Sequence, residues 1–158
     1  MNTLVIDGWK KNIRFSSAHF IPGHEKCSRL HGHTYALFLK IEADALPRSG
    51  MIMDFSLLQH CLHALADELD HKILLPSKHS GVKQQGSSIH VDFAEKHYVF
   101  PTQDCKLLPL PVISAEQLAQ YCLDQVNENV TFPECVTKVS VGVDEGFGTC
   151  AYACLKRR

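Results

Sequence analysis

Apolar residues recur along this chain with two different periods, and the switches between them outline its elements. Between Trp9 and Phe20, Ile13, Phe15 and Ser17 share one parity, which predicts a first strand. From His33 to Ala43 the alternation is clearer: Tyr35, Leu37, Leu39 and Ile41 face one way, while Lys40 and Glu42 face the other. A period of two with one polar parity marks a strand buried on one face, as in an antiparallel sheet. An irregular stretch, Ile21 to Leu30, with Pro22, Gly23 and Ser28, joins the two. Past Pro47 and Gly50 the period lengthens. Leu57, Leu58, Cys61, Leu62, Leu65 and Leu69 recur at helical spacing, with Asp54 or Ser56 available as N-cap.

A second helix is expected to start at Ser114. Ser114 and Gln117 fit the S-x-x-Q capping pattern, and Leu118, Ala119, Cys122, Leu123 and Val126 form its apolar stripe. The chain then returns to β. Val139, Val141 and Val143 alternate, Gly146 and Gly148 suit a turn, and Thr149 to Leu155 runs back. Between the helices, Ile89 to Phe93 and His97 to Phe100 read as a short hairpin about Ala94-Glu95-Lys96, preceded by an exposed loop from Lys78 to Ser88. Strands in hairpin-like pairs, interrupted by two helices, indicate an α+β fold: an antiparallel sheet with helices on one face.

Composition narrows the classes. With 158 residues, 45% of them apolar, the chain suits one globular domain over 1–158. A domain of that size buries about 68–70% of its unfolded surface, so its core needs no disulfide or metal staple. Sixteen basic residues against seventeen acidic ones argue against a dedicated nucleic-acid or membrane-surface binder. No apolar run approaches the roughly 18 residues of a membrane span, and the first residues do not form a signal peptide. Seven Cys, an odd number with no C-x-x-C pair, do not form a disulfide framework and suit a reducing, cytoplasmic setting.

The ten His change the picture only where their spacing makes a site. In Cys27-Ser-Arg-Leu-His31-Gly-His33, the two His enter a strand two residues apart, so their side chains leave one face roughly 6–7 Å apart. That separation suits two imidazoles converging on one metal, and His19 near the end of the preceding strand can supply a third if the strands pair. Three His with an open fourth position is catalytic zinc geometry. On spacing alone, surface polarity explains H-G-H equally well. Asp70-His71, at the end of the first helix, is either an oriented imidazole or a solvated helix cap. Asp144-Glu145-Gly146, where an apolar strand ends, is by itself a turn signal.

Taken together, the motifs resemble the 6-pyruvoyl-tetrahydropterin synthase family, which includes the 6-carboxytetrahydropterin synthases of queuosine and deazapurine biosynthesis. Phe15-Ser-Ser-Ala18-His19, Cys27-x-x-x-His31-Gly-His33, Gly50-Met-Ile-Met-Asp54-Phe55, Leu69-Asp70-His71, Ser114-Ala-Glu116-Gln-Leu-Ala119 and Val143-Asp-Glu145 occur in the family's order. The resemblance covers the chain apart from about Pro76 to Leu110, an insertion relative to compact members. It implies the tunnelling fold (T-fold): a four-stranded antiparallel sheet with two helices on one face, here with an inserted hairpin, assembling as a hexamer of two trimers. It further implies that His19, His31 and His33 ligate Zn²⁺, that Cys27, Asp70 and His71 are catalytic, and that Glu145 and Glu116 contact the pterin. In the family the active site lies between subunits.

The substrate so implied is a small-molecule pterin triphosphate, 7,8-dihydroneopterin triphosphate, with neither nucleic acid nor membrane as partner. Zinc would act as a Lewis acid on its side-chain hydroxyls, the Cys27 thiolate as general base, and Glu145 as a bidentate acceptor for the aminopyrimidine edge. Arg14, Arg29 and Lys72 neighbour the motifs and are candidates for the triphosphate. The three residues between Cys27 and His31 resemble the bacterial 6-carboxytetrahydropterin synthases, since animal pyruvoyl enzymes have a longer interval. Triphosphate elimination to 6-pyruvoyl-tetrahydropterin is the alternative. Glu25 keeps open a folate-pathway side-chain cleavage, and a non-catalytic pterin- or metal-binding protein of the same fold is a further possibility. Two departures stand out: Gly146 replaces the usual Thr after the anchoring Glu, and Ala115 replaces the usual hydroxyl before Glu116.

Overall fold

Within residues 1–157, which the computed structural model describes, there are ten strands, two α-helices and one short 3-10 turn. The centre is β3 (His31–Ala43), thirteen residues long. Its first half pairs antiparallel with β2 (Arg14–His19), from Arg14 opposite Ala36 to His19 opposite His31. Its second half pairs with β1 (Asn2–Ile6), a strand that the alternation did not announce. Along the other edge lies β9 (Val136–Asp144), and β10 (Cys150–Lys156) closes that side. The order β10-β9-β3-β2 is the expected four-stranded antiparallel sheet.

The sheet then continues beyond expectation. β4 (Lys72–Pro76) pairs parallel with β2, and β8 (Cys105–Leu108) pairs parallel with β4. KILLP and CKLL are too short to show a period, and a parallel pairing partner lies far away in sequence. Between them, β5 (Val82–Gln85), β6 (Ser88–Phe93) and β7 (Lys96–Pro101) form a separate three-stranded antiparallel sheet. The hairpin about Ala94 and Glu95 is therefore present, and part of the expected Lys78 to Ser88 loop is instead its third strand. The first predicted strand is shorter than expected: residues 9–12 form turns, with the Ile13 N–H donating to the Gly8 carbonyl at 2.8 Å.

Helix α1 (Phe55–Leu69) begins at Asp54, whose Oδ1 accepts the Ser56 N–H at 2.8 Å, so Asp54 is the cap of the two candidates. Its buried stripe is Leu58, Leu62, Leu65, Ala66 and Leu69. Helix α2 (Ala115–Asn129) starts at Ser114, whose hydroxyl accepts the Gln117 N–H at 3.3 Å. Both stripes join one core with Phe15, Tyr35, Leu37, Leu39, Ile41, Val139, Val141 and Val143, which share one parity of the paired strands. Each such Leu contributes about 1.5–3 kcal/mol by leaving water. A second core, Phe20, Leu75, Ile89 and Val91, sits under the three-stranded sheet.

The parity that fills the core also sets the site. His31 and His33 belong to the same face of β3 as Tyr35 and Leu37, so the apolar face runs directly into imidazoles where the strand begins.

Candidate active site

Three imidazoles meet where β2 and β3 pair. His19 lies directly opposite His31, and His33 lies opposite Ser17. Ring centroids are 4.6 Å apart for His19–His31, 5.1 Å for His19–His33 and 5.0 Å for His31–His33. One ligand nitrogen from each lies within 4.8 Å of the others, with His19 buried and the other two half-buried. Two rings are held by backbone carbonyls. His19 Nδ1 is 2.8 Å from the Ile113 carbonyl, and His31 Nδ1 is 2.7 Å from that of Arg29. A carbonyl only accepts, so in each ring Nδ1 carries a proton, and Nε2 is the nitrogen through which the neutral ring can bind a metal.

His19 Nε2 is buried and has no hydrogen-bond partner. Burial pushes the His19 pKa down to about 4, aided by the neighbouring His31 and His33 and opposed by the bond to Ile113. A buried, neutral and unpartnered nitrogen beside two further imidazoles fits a metal ion and leaves a coordination position open. Below the trio lies Tyr35, its ring 5.9 Å from His19 and 5.5 Å from His33. Its buried hydroxyl is likewise unpartnered, and burial raises its pKa strongly.

Glu145, which directly follows β9, has its Oε1 3.9 Å from His19 Nε2. It borders a cavity of about 610 Å³ together with Glu116, Ser114, Ile21 and Tyr152. Burial raises the Glu145 carboxyl pKa, opposed by His33 and reinforced by Glu116. The turn carrying Glu145 is braced by a residue that the alternation did not single out: Trp9 Nε1 donates to Asp144 Oδ2 at 3.3 Å, and its ring stacks on Phe147 at 4.3 Å.

His71, with Asp70 just before it, borders a hollow of about 490 Å³ that also touches Ser16, His33 and Lys72. Asp70 Oδ1 accepts the Ser16 N–H at 2.7 Å, and Oδ2 lies 2.7 Å from His71 Nδ1. These bonds, the one from Ser16 foremost, hold the Asp70 carboxyl below its ordinary range. Asp70 is also the C-cap of α1, so the helix-cap and oriented-imidazole readings hold together. His71 follows at φ 56°, a left-handed conformation rare for non-glycine residues, and its N–H donates to the Ser16 carbonyl at 2.8 Å. The imidazole is 85% exposed.

Cys27 is half-buried in the loop between β2 and β3. Its N–H donates to His24 Nδ1 at 3.0 Å, and its carbonyl accepts the Ile21 N–H at 2.7 Å. Of the candidate cations, Arg14 binds the Asn12 side chain and Lys72 donates to the Gln103 carbonyl at 2.5 Å, while Arg29 is exposed. The Glu25 carbonyl accepts from the Ser28 hydroxyl at 3.2 Å. A hollow of about 650 Å³ between α1 and α2 contains none of these residues.

Residues 9–153 match the family model described as 6-pyruvoyl tetrahydropterin synthase. The chain belongs to this family. A Methanocaldococcus jannaschii protein provisionally named 6-carboxy-5,6,7,8-tetrahydropterin synthase is 31% identical over 150 residues, covering 92% of this chain and 91% of its own. The Aquifex aeolicus 6-carboxy-5,6,7,8-tetrahydropterin synthase is 30% identical over 122 residues, covering 73% of this chain and 68% of its own. The structure of the Plasmodium vivax 6-pyruvoyl tetrahydropterin synthase superposes with a TM-score of 0.90 at 24% identity, covering 99% of this chain and 98% of that one. That likeness establishes the tunnelling fold, with two helices against a mixed sheet. No helix among the described residues is long and apolar enough to cross a membrane.

Proposed function

We propose that this tetrahydropterin synthase converts 7,8-dihydroneopterin triphosphate to 6-carboxy-5,6,7,8-tetrahydropterin, releasing triphosphate and acetaldehyde in queuosine or deazapurine biosynthesis. The single observation that carries this reading is the convergence of His19, His31 and His33 on one another, with an orphaned His19 Nε2 standing 3.9 Å from Glu145, the carboxylate that borders a cavity with Glu116. The short Cys27 to His31 interval and the names of the curated relatives favour the carboxy product over the pyruvoyl one.

His19, His31 and His33 would hold zinc, which when bound polarises a substrate oxygen as a Lewis acid. Glu145 accepts N–H bonds from the aminopyrimidine edge and fixes the ring, with Glu116 as second contact. Cys27 takes a proton from the substrate side chain as general base. His71, kept in one tautomer by Asp70, carries the other proton. The exposure of His71 and the free edge of β10, with Tyr152 52% exposed, suit a hexamer of two trimers in which a neighbouring copy completes each site.

The test is product identification by mass after incubating zinc-loaded protein with 7,8-dihydroneopterin triphosphate. Acetaldehyde with the carboxy product is expected; the pyruvoyl product would reassign the reaction, and no turnover would leave a binding protein. Cys27→Ala is expected to abolish turnover while sparing zinc and pterin binding, and full activity in that variant would remove Cys27 as the base.

A further inference from the structure

The three-stranded sheet reaches back to the loop that carries Cys27 and grips it at both ends. At one end is Phe20, the residue after His19. Its ring stacks on Phe93 of β6 at 4.8 Å and 18°, and on Tyr98 of β7 at 5.9 Å. At the other end is Ser28, the residue after Cys27. Lys96, at the start of β7, donates from Nζ to the Ser28 carbonyl at 2.7 Å and lies 3.4 Å from the Ser28 hydroxyl. The same ammonium sits 5.2 Å from the centre of the Phe93 ring. One aromatic ring therefore links the two grips.

Between these ends the loop has little of its own to hold it. Residues 23–26 are exposed, and the bonds inside the loop are local: Ile21 N–H to the Cys27 carbonyl at 2.7 Å, Ser28 N–H to the His24 carbonyl at 3.1 Å, and Arg29 N–H to the Lys26 carbonyl at 3.3 Å. Such bonds define the loop's internal shape and do not set where it stands relative to the three His. A charged donor on a backbone carbonyl is among the stronger hydrogen bonds, and Lys96 is half-buried, where its charge is less screened by water.

We propose that Lys96 is a positioning residue: by pinning the Ser28 carbonyl it holds the adjacent Cys27 thiol in register with the histidine cluster. The three-stranded sheet is thus a brace for the reaction's base. This rests on the reading of Cys27 as that base. Displacing a reacting group by about 1 Å costs on the order of a hundredfold in rate, so losing the grip at one end is expected to lower kcat at least tenfold.

The experiment uses the full-length, zinc-loaded protein with Lys96→Met and Lys96→Arg. Three readouts are compared with the unaltered chain: kcat and KM for 7,8-dihydroneopterin triphosphate, zinc content, and the rate of Cys27 alkylation by iodoacetamide, resolved from the other cysteines by peptide mass. Lys96→Met is expected to lower kcat at least tenfold with KM and zinc content unchanged, and to change the Cys27 alkylation rate severalfold without changing that of Cys150. Lys96→Arg, which can still donate to the carbonyl and lie over Phe93, is expected to restore most of both. Unaltered kcat and Cys27 alkylation in Lys96→Met would overturn the proposal. So would a raised KM at unchanged kcat, which would make Lys96 a substrate contact. If Lys96→Met does not fold, Lys96→Leu, which likewise lacks a donor, carries the same expectations. Failure of the Cys27 reading is seen separately as activity in Cys27→Ala, while the alkylation rate still reports whether Lys96 holds the loop.

Discussion

Removing one imidazole from the trio tests the metal centre through stability, independent of any substrate. In the metal-free chain His19 Nε2 is buried without a partner, a state that costs about 1–3 kcal/mol. A bound ion satisfies it, and only the folded chain brings the three ligand nitrogens within 4.8 Å of one another. A ligand that binds only the folded state at a hundred times its Kd stabilises by about 2.7 kcal/mol. For a chain of this length 1 kcal/mol moves Tm by about 2–4 °C, so zinc is expected to raise Tm by about 5–11 °C over chelator-treated protein. Replacing His33 by Ala removes one of three ligands but leaves both carbonyl-held rings in place. The zinc-dependent shift should then shrink to about 2 °C or less, while the Tm in chelator changes little. Differential scanning fluorimetry at pH 7.5, with zinc, magnesium or chelator, measures all of these. An equal zinc shift in His33→Ala, or none in the unaltered chain at saturating zinc, would refute the centre.

Two further outcomes follow from particular contacts. Asp70→Asn deprives either Ser16 or His71 of its acceptor, and because Asp70 is 37% exposed the loss is limited to about 0.5–1.5 kcal/mol. Asp70 has a lowered folded pKa, so its contribution is present above the unfolded value of about 3.9 and lost as pH falls through the folded one. Urea unfolding should therefore show the two proteins diverging above pH 5 and converging in acid, and a gap unchanged down to pH 2 would contradict this. Gly8→Ala would place a Cβ 2.1 Å from the Leu37 carbonyl oxygen and 2.8 Å from the Leu37 nitrogen. Backbone cannot yield like a side chain, so a loss of about 1–3 kcal/mol or more is expected, read as a drop in Tm.

Much of this arrangement was legible along the chain because it depends on period and on local chemistry. The alternation from Tyr35 to Ile41 determined which face of β3 is buried, and the two-residue step from His31 to His33 put both imidazoles on that face. The helical stripes and the Ser114 cap were equally readable, since a cap needs only its own first turn. Asp54 rather than Ser56 as the first cap was a choice between neighbours that the side-chain bond decided.

Only the tertiary structure decided what came together across the chain. That His19 stands opposite His31 is a matter of strand register, and the carbonyls that orient the two rings belong to Ile113 and Arg29, one of them 94 residues away from its imidazole. β4 and β8 had no period long enough to announce them, and a parallel pair has no turn to mark it. Trp9 bracing the Glu145 turn and Lys96 gripping the Cys27 loop are contacts between residues with no shared motif. The sequence by itself determined which residue types are available to a site and on which face each element presents them. Distance, burial and partnership were decided by folding, because they arise between segments whose separation along the chain has no relation to their separation in space.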